Sequence, residues 1–424
     1  MWEKFTQIFK IRDLRKSILY VLALLVIFRI AAHIPIPGVN LDNLKEFFAS
    51  NQIFGLINIF SGGGMSNFSV VAMGVGPYIT ASIIFQLLVM IVPKLEEISK
   101  EPGGYQKINN WTRWLTVPLA ALQGYGIITT LQRQSTYKII NFLSPFDLIL
   151  TLITLTAGTV FLMWIGELIS ERKIGNGISL IIFAGIVDRL PSLVQRTLVV
   201  FDPAEIFNLV LFAIIAIITI VGVVIINEGT RNVPVSYARH VRGNKMYGGV
   251  STHLPLRVNM AGVIPIIFAI SLIIFPPMIA QFFVHAKSQI LVQAAQFIIS
   301  VFQNQLIYGI LYFVFVFGFT YFYTAVIFHP QQIAENLQKQ GGFIPGIRPG
   351  KHTEEYLGHV TNRIIFAGAL FLGLIAILPL VIQQFTGGLN LVIGGTSLLI
   401  VVSVVIETVK QVESQLTMRE YEGI

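Results

Sequence analysis

Seven histidines are the residues best suited to metal or acid–base chemistry in this chain, and their spacing suits neither. His33, His240, His253, His285, His329, His352 and His359 form no pair at metal-ligand spacing, and His352 and His359 share a polar loop. Cysteine is absent, which removes disulfides and thiolate sites. Gly350-Lys351 is followed by His352 and lacks the earlier glycine of a phosphate-binding loop. The expectation is a protein with no catalytic group, metal or cofactor, whose work is powered by a partner or a gradient. Ionisable residues inside apolar segments would suggest a proton or sodium relay. Arg29, Glu167 and Glu407 are the candidates. All three lie toward segment ends, where they read as snorkelling or helix-packing charges.

The elements that carry these residues are apolar and long. A bilayer core of about 30 Å needs about 20 mostly apolar helical residues. Ten segments qualify or nearly do: Ser17–Ala32, Gly74–Val92, Trp114–Leu131, Asp147–Ile169, Gly177–Leu190, Ala204–Ile226, Val258–Gln281, Leu306–Phe328, Asn362–Gln384 and Leu391–Val412. The first and fifth are short, so their helices are expected to extend into less apolar flanks. Basic residues fall in alternate gaps, 22 on one side against six on the other. By the positive-inside rule, the number of spans is even and both termini are cytoplasmic. With 54% hydrophobic and 12% charged residues, this is one integral membrane protein rather than several soluble domains. The net charge of +8 keeps loops in the cytoplasm and offers a surface to an acidic partner.

Three features exceed what a plain bundle needs. Gly55–Met73 is too polar and glycine-rich to span, yet too apolar for a solvated loop. Irregular backbone near a bilayer is tolerated against protein or a water-filled cavity, so this piece is expected to fold inward at Gly62-Gly63-Gly64. Two gaps, Asn227–Arg257 and His329–Thr361, are far longer than the two to eight residues, roughly, that packed helices need. In the first, "YARHVRGNK" reads as a basic hairpin turning at Gly243-Asn244. In the second, "GGFIPGIRPGK" is a rigid loop presenting Arg348. Long basic loops of this kind read as docking surfaces for acidic protein or RNA phosphates. Finally, Ile79 and Ile83 share one helix face, as do Ile178 and Ile182, with Ile267 and Ile400 in later spans. Periodicity alone makes them packing residues.

At this point the chain resembles the SecY family, channel subunits of the bacterial protein translocase. The stretches that carry the resemblance are "FSGGGMSNFSVVAMGVGPYITASIIFQLL", "IGNGISLIIFAGIVDRLP", "STHLPLRVNMAGVIPIIFA", "FIPGIRPGKHTEEYL" and "GGTSLLIVVSVVIETVKQVESQL". It implies an all-α membrane protein of ten transmembrane helices in two inverted pseudo-symmetric halves around a central hourglass pore. The halves would be residues 1–190, with the plug, and 191–424, with the docking loops, hinged at Asp188–Asp202. The family's constriction ring falls on Ile79, Ile83, Ile178, Ile182, Ile267 and Ile400, which replaces the packing reading for these six. Its plug falls on Phe54–Phe68, with Phe54, Ile57, Phe60, Gly62, Gly63, Gly64 and Phe68. Arg348 and the hairpin residues Arg239, Arg242 and Lys245 would be docking points, although this hairpin is less densely basic than is common in the family.

The implied function is a protein-conducting channel of the cytoplasmic membrane, not an enzyme. It would pass unfolded secretory polypeptides and release signal sequences and membrane spans sideways into lipid. The implied partners are SecE-type and SecG-type small membrane subunits, the SecA motor and the ribosome. A solute transporter would instead need a polar site at mid-membrane on a broken helix. A non-conducting scaffold or insertase would not leak ions when its plug is removed.

Overall fold

The computed structural model describes residues 11–50, 61–132, 139–140, 144–188, 191, 195, 206–237, 239–242, 245–248, 251–284, 287–385 and 395–421. The helices are α1 Arg12–Ala32, α2 Leu41–Ser50, α3 Gly76–Ile91, α4 Pro93–Lys100, α5 Gly104–Gln132, α6 Pro145–Glu171, α7 Gly177–Val187, α8 Ile206–Glu228, α9 Ile264–Phe283, α10 Gln289–Gln303, α11 Gln305–Ile327, α12 Pro330–Lys339, α13 Lys351–Phe385 and α14 Gly395–Tyr421. Each of the ten expected spans coincides with one of these, most of them running into polar flanks. Among the described residues five helices are long and apolar enough to cross a membrane alone, and α3 joins them only with α4, to which it is bent by 102°. On α8, Ile217, Ile218, Val221 and Ile225 are each more than half exposed. Such a surface is stable against lipid rather than water.

Local chemistry sets the helix ends. Pro145 opens α6 behind Ser144, whose Oγ accepts from the Asp147 amide at 3.3 Å. Pro93 and Pro330 also open α4 and α12, there without a side-chain cap. α1 extends back to Arg12, as its shortness required. α7 does not extend on its N-terminal side. The Asn176 side chain accepts from the Ile178 and Ser179 amides at 3.1 and 3.3 Å and fixes the start there. Within the apolar helices, Thr112, Thr116, Thr154, Thr159, Thr320 and Thr324 each donate to the carbonyl four residues back. Their hydroxyls thereby need no water.

The chain divides into two compact units: Met1–Phe207 with Ile270–Tyr308 and Val404–Ile424, and Asn208–Ala269 with Gly309–Ser403. The first has a buried core of Ile36, Leu44, Phe47, Met65, Phe68, Ala72, Met73, Ile127, Ile128, Leu131, Ile139, Ile140 and Leu155. The second contains a sheet. Strands β1 Thr230–Tyr237 and β4 Ser251–Arg257 pair antiparallel from Thr230↔Arg257 to Ser236↔Ser251. Beyond them β2 Arg239–Arg242 and β3 Lys245–Gly248 pair as Arg239↔Gly248 to Arg242↔Lys245. The expected hairpin is therefore present; its turn, Gly243-Asn244, lies outside the described residues. Strand β5, Gly342–Phe343, adds to the free edge of β1, giving the order β4-β1-β5.

Candidate functional site: a seated glycine turn, buried isoleucines and a two-loop platform

Half of the expected plug is described. Phe54, Ile57 and Phe60 lie outside the described residues; the rest is tightly held. Ser61 to Ser69 folds on itself: Ser61 Oγ accepts from the Met65 amide at 3.1 Å, Ser66 Oγ donates to the Gly63 carbonyl at 2.8 Å, and the Ser69 amide donates to the Gly64 carbonyl at 2.9 Å. Gly62 and Gly63 take φ of +65° and +82°, a region open chiefly to glycine. Phe68 sits at φ +40° and is fully buried in the first unit's core. A non-glycine residue there is uncommon and persists where its surroundings hold it. They do: the Ile36 amide donates to the Phe68 carbonyl at 2.9 Å, and the Val70 amide to the Ile34 carbonyl at 3.0 Å. On α6, Gly158 leaves room for this backbone, since a Cβ there would lie 1.9 Å from the Val70 carbonyl oxygen.

Arg29, read from sequence as a snorkelling charge, is instead a bridge. Its Nη1 donates to the Gly62 carbonyl at 2.7 Å and its Nη2 pairs with the Asp188 carboxylate just past α7. The sequence signal was Arg29 itself, a charge inside a span; Asp188, far along the chain, gave no sign of being its partner. Glu167, by contrast, is a helix-packing charge as expected, bonded from Arg113 Nε at 2.6 Å.

The six isoleucines sit on four helices. Ile79 and Ile83 of α3, Ile182 of α7, Ile267 of α9 and Ile400 of α14 are all buried. Ile178 is half-buried, and its Cδ1 lies where a Cβ on Gly166 of α6 would come within 2.7 Å. Its side chain therefore rests in the gap that Gly166 leaves. Beside Ile267, Phe268 stacks edge-on against Phe319 and Tyr323 of α11, each at 5.9 Å. Sequence reasoning missed a polar knot in the second unit. Asn227 Nδ2 donates to Ser403 Oγ at 2.8 Å, and Asn259 Nδ2 to Asn227 Oδ1 at 2.7 Å. The Gly262 amide, at φ +64°, donates to Asn259 Oδ1 at 3.0 Å.

The two long loops, expected as separate surfaces, form one platform. Ser236↔Phe343 and Tyr237↔Gly342 join them, over a core of Val233, Val235, Leu256, Leu337, Ile344, Leu357, Val360 and Ile364. Gly346 and Gly350, at φ +83° and +94°, turn the "FIPGIRPG" loop so that Arg348 is exposed. Its carbonyl accepts from Thr353 Oγ1 at 3.0 Å, tying the loop to α13. Arg239, Arg242 and Lys245 lie on β2 and β3, the latter two as register partners.

Among the described residues no cluster of His, Asp or Glu is placed to hold a metal ion. A family model described as SecY matches residues 69–409. The protein translocase subunit SecY of Streptomyces galbus is 42% identical across all of this chain and 99% of its own length. A solved protein-conducting channel covers 93% of this chain and 91% of its own, at TM-score 0.63 and 19% identity. A structure of SecY whose plug domain is described as stabilising the closed state and maintaining a membrane seal matches at TM-score 0.61 and 18% identity, covering 92% and 90%. Sec61 from a canine ribosome–channel complex matches at TM-score 0.59 and 17% identity, covering 93% and 91%. The fold is theirs, and full-length identity at this level leaves one assignment: the chain belongs to the SecY family.

Proposed function

We propose that this protein is the multi-pass, protein-conducting channel of a translocase in the cytoplasmic membrane, with both termini cytoplasmic. It performs no chemical step. An extended polypeptide needs a passage that fits any side chain and a seal that holds back ions. Branched apolar side chains offer an ion nothing to bind, and a narrow apolar constriction dewets. Ile79, Ile83, Ile178, Ile182, Ile267 and Ile400 would supply that constriction between the halves 1–190 and 191–424. Phe54–Phe68 would close it as a plug. A signal sequence or membrane span would leave sideways, because its apolar surface is more stable in lipid.

The observation that carries this reading is the seated turn. A glycine-rich, non-spanning segment is fixed by Arg29, Ile36 and Ile34 inside a buried bed, in a chain whose described apolar helices bury five of the six isoleucines. The platform bearing Arg348, with Arg239, Arg242 and Lys245 on its ribbon, is the proposed dock for a SecA-type motor and for the ribosome. SecE-type and SecG-type subunits would complete the complex. Conductance of the reconstituted complex tests the reading. Removal of Phe54–Phe68 is expected to make a silent membrane leak ions while transport persists; a silent deletion variant would contradict it.

A further inference from the structure

We propose that Arg29 and Asp188 form a latch that holds the plug turn shut, and that Asp188 sets how easily a substrate opens it. This inference rests on the channel reading above. Three pieces of chain meet at one guanidinium. Arg29 lies one turn from the C-terminal end of α1, with its side chain 20% exposed. One nitrogen donates to the Gly62 carbonyl of the glycine turn, and another pairs with Asp188, the residue that ends α7. The planar fork reaches both partners at once, which a lysine ammonium on its flexible stem is less suited to do.

The backbone is built for this contact. A Cβ on Gly185 would fall 2.1 Å from the Gly62 Cα, and a Cβ on Gly62 would fall 2.5 Å from Phe28 Cζ. Phe28, fully buried, is thus the floor under Gly62, and α7 is its wall. Close approach alone, however, gives the turn no electrostatic hold. The Arg29 bond adds a charged, long-range hold at Gly62 itself, across 33 residues, while Asn67 Nδ2 donates to the Ala32 carbonyl at 3.5 Å farther along the turn.

Asp188 decides the strength of that bond. With the carboxylate present, the guanidinium is held over Gly62. With an amide in its place, the cation has one neutral carbonyl left, and its position near a helix end lets it swing to water or headgroups. Loss of either partner then weakens the same closed state. Both are positioning residues; neither needs to touch the moving polypeptide.

The test is a double-mutant cycle in the reconstituted complex: Arg29→Gln, Asp188→Asn and the pair, with the Phe54–Phe68 deletion as positive control. Resting conductance and export of a precursor with a defective signal sequence are measured, alongside folded protein recovered from membranes. Each single variant is expected to raise resting open probability by at least about tenfold, the scale of one hydrogen bond to a charged group. The double variant should be no leakier than the leakier single, with folded protein unchanged. Arg29→Lys should fall between wild type and Arg29→Gln. Additive leaks, or silent single variants beside a leaking deletion, would overturn the latch while leaving the channel intact. Leak that tracks loss of folded protein, with Arg29→Lys as damaging as Arg29→Gln, would make the pair merely structural. A silent deletion would overturn the plug and the latch together.

Discussion

Ser236 of β1 is paired with Phe343 of β5, so two loops separated by about a hundred residues share one sheet. The platform is therefore a single folded object, and Arg348 is presented by structure rather than by a floppy connection. The loop that carries it has its own core beneath it, with Leu357 fully buried.

Arg348→Glu should abolish most motor-driven secretion with a stability change of no more than about 0.5 kcal/mol, because the side chain is exposed. Reversing a charge at a docking point removes a pairing and adds repulsion. ATP-driven uptake of a secretory precursor into vesicles measures it. Normal uptake would return Arg348 to the ordinary loop charges.

Leu357→Ala should loosen the same platform from below. Truncating a fully buried leucine costs about 2–5 kcal/mol. The expected outcome is faster protease nicking at residues 342–350 and 230–257 together, since the Ser236↔Phe343 register couples them. Nicking of one loop alone would show that the sheet does not unite them.

Gly158→Val should disturb the plug's bed. A Cβ at 158 would lie 1.9 Å from the Val70 carbonyl oxygen, so backbone must move. Overpacking of this kind costs about 1–3 kcal/mol. Resting conductance should rise while α6 still inserts. Gly124→Ala on α5, where a Cβ meets Leu155 Cδ1 at an ordinary 3.6 Å, is the silent control.

Ile400→Asn should loosen the closed state and let precursors with defective signals through. An unpartnered buried amide costs roughly 1–3 kcal/mol, and about 1.4 kcal/mol shifts an open-to-closed ratio tenfold. The penalty falls on the dry, closed state. Val405→Asn, at an exposed position of the same helix, is the control. Equal export by both would make Ile400 a packing residue.

The apolar helices were readable from sequence because apolar length is a local signal; their limits were not, since Gly104–Gln132 and Lys351–Phe385 run far into polar flanks that hydropathy does not mark. Asn176 shows where span length misleads: its side chain caps the helix at Gly177, where the shortness of the apolar run predicts an extension into the polar flank. The β2–β3 ribbon was readable because its turn residues are adjacent. The β1–β5 pairing was not, since two residues of an edge strand carry no period. Arg29 stood out as a charge in a span, but its bond to Gly62 depends on a turn whose path no periodicity describes. Asn227 opens a long gap and Asn259 an apolar span, and nothing in their spacing ties them until the fold brings them together.

In the proposed channel a translocating polypeptide passes the buried isoleucines. A photo-crosslinking side chain at position 182 or 400, and separately at exposed 405, can be challenged with a secretory precursor stalled halfway. Strong adducts are expected from 182 and 400 that vanish when the precursor is released, and none from 405. Adducts from 405 alone, or equal adducts from all three, would contradict it.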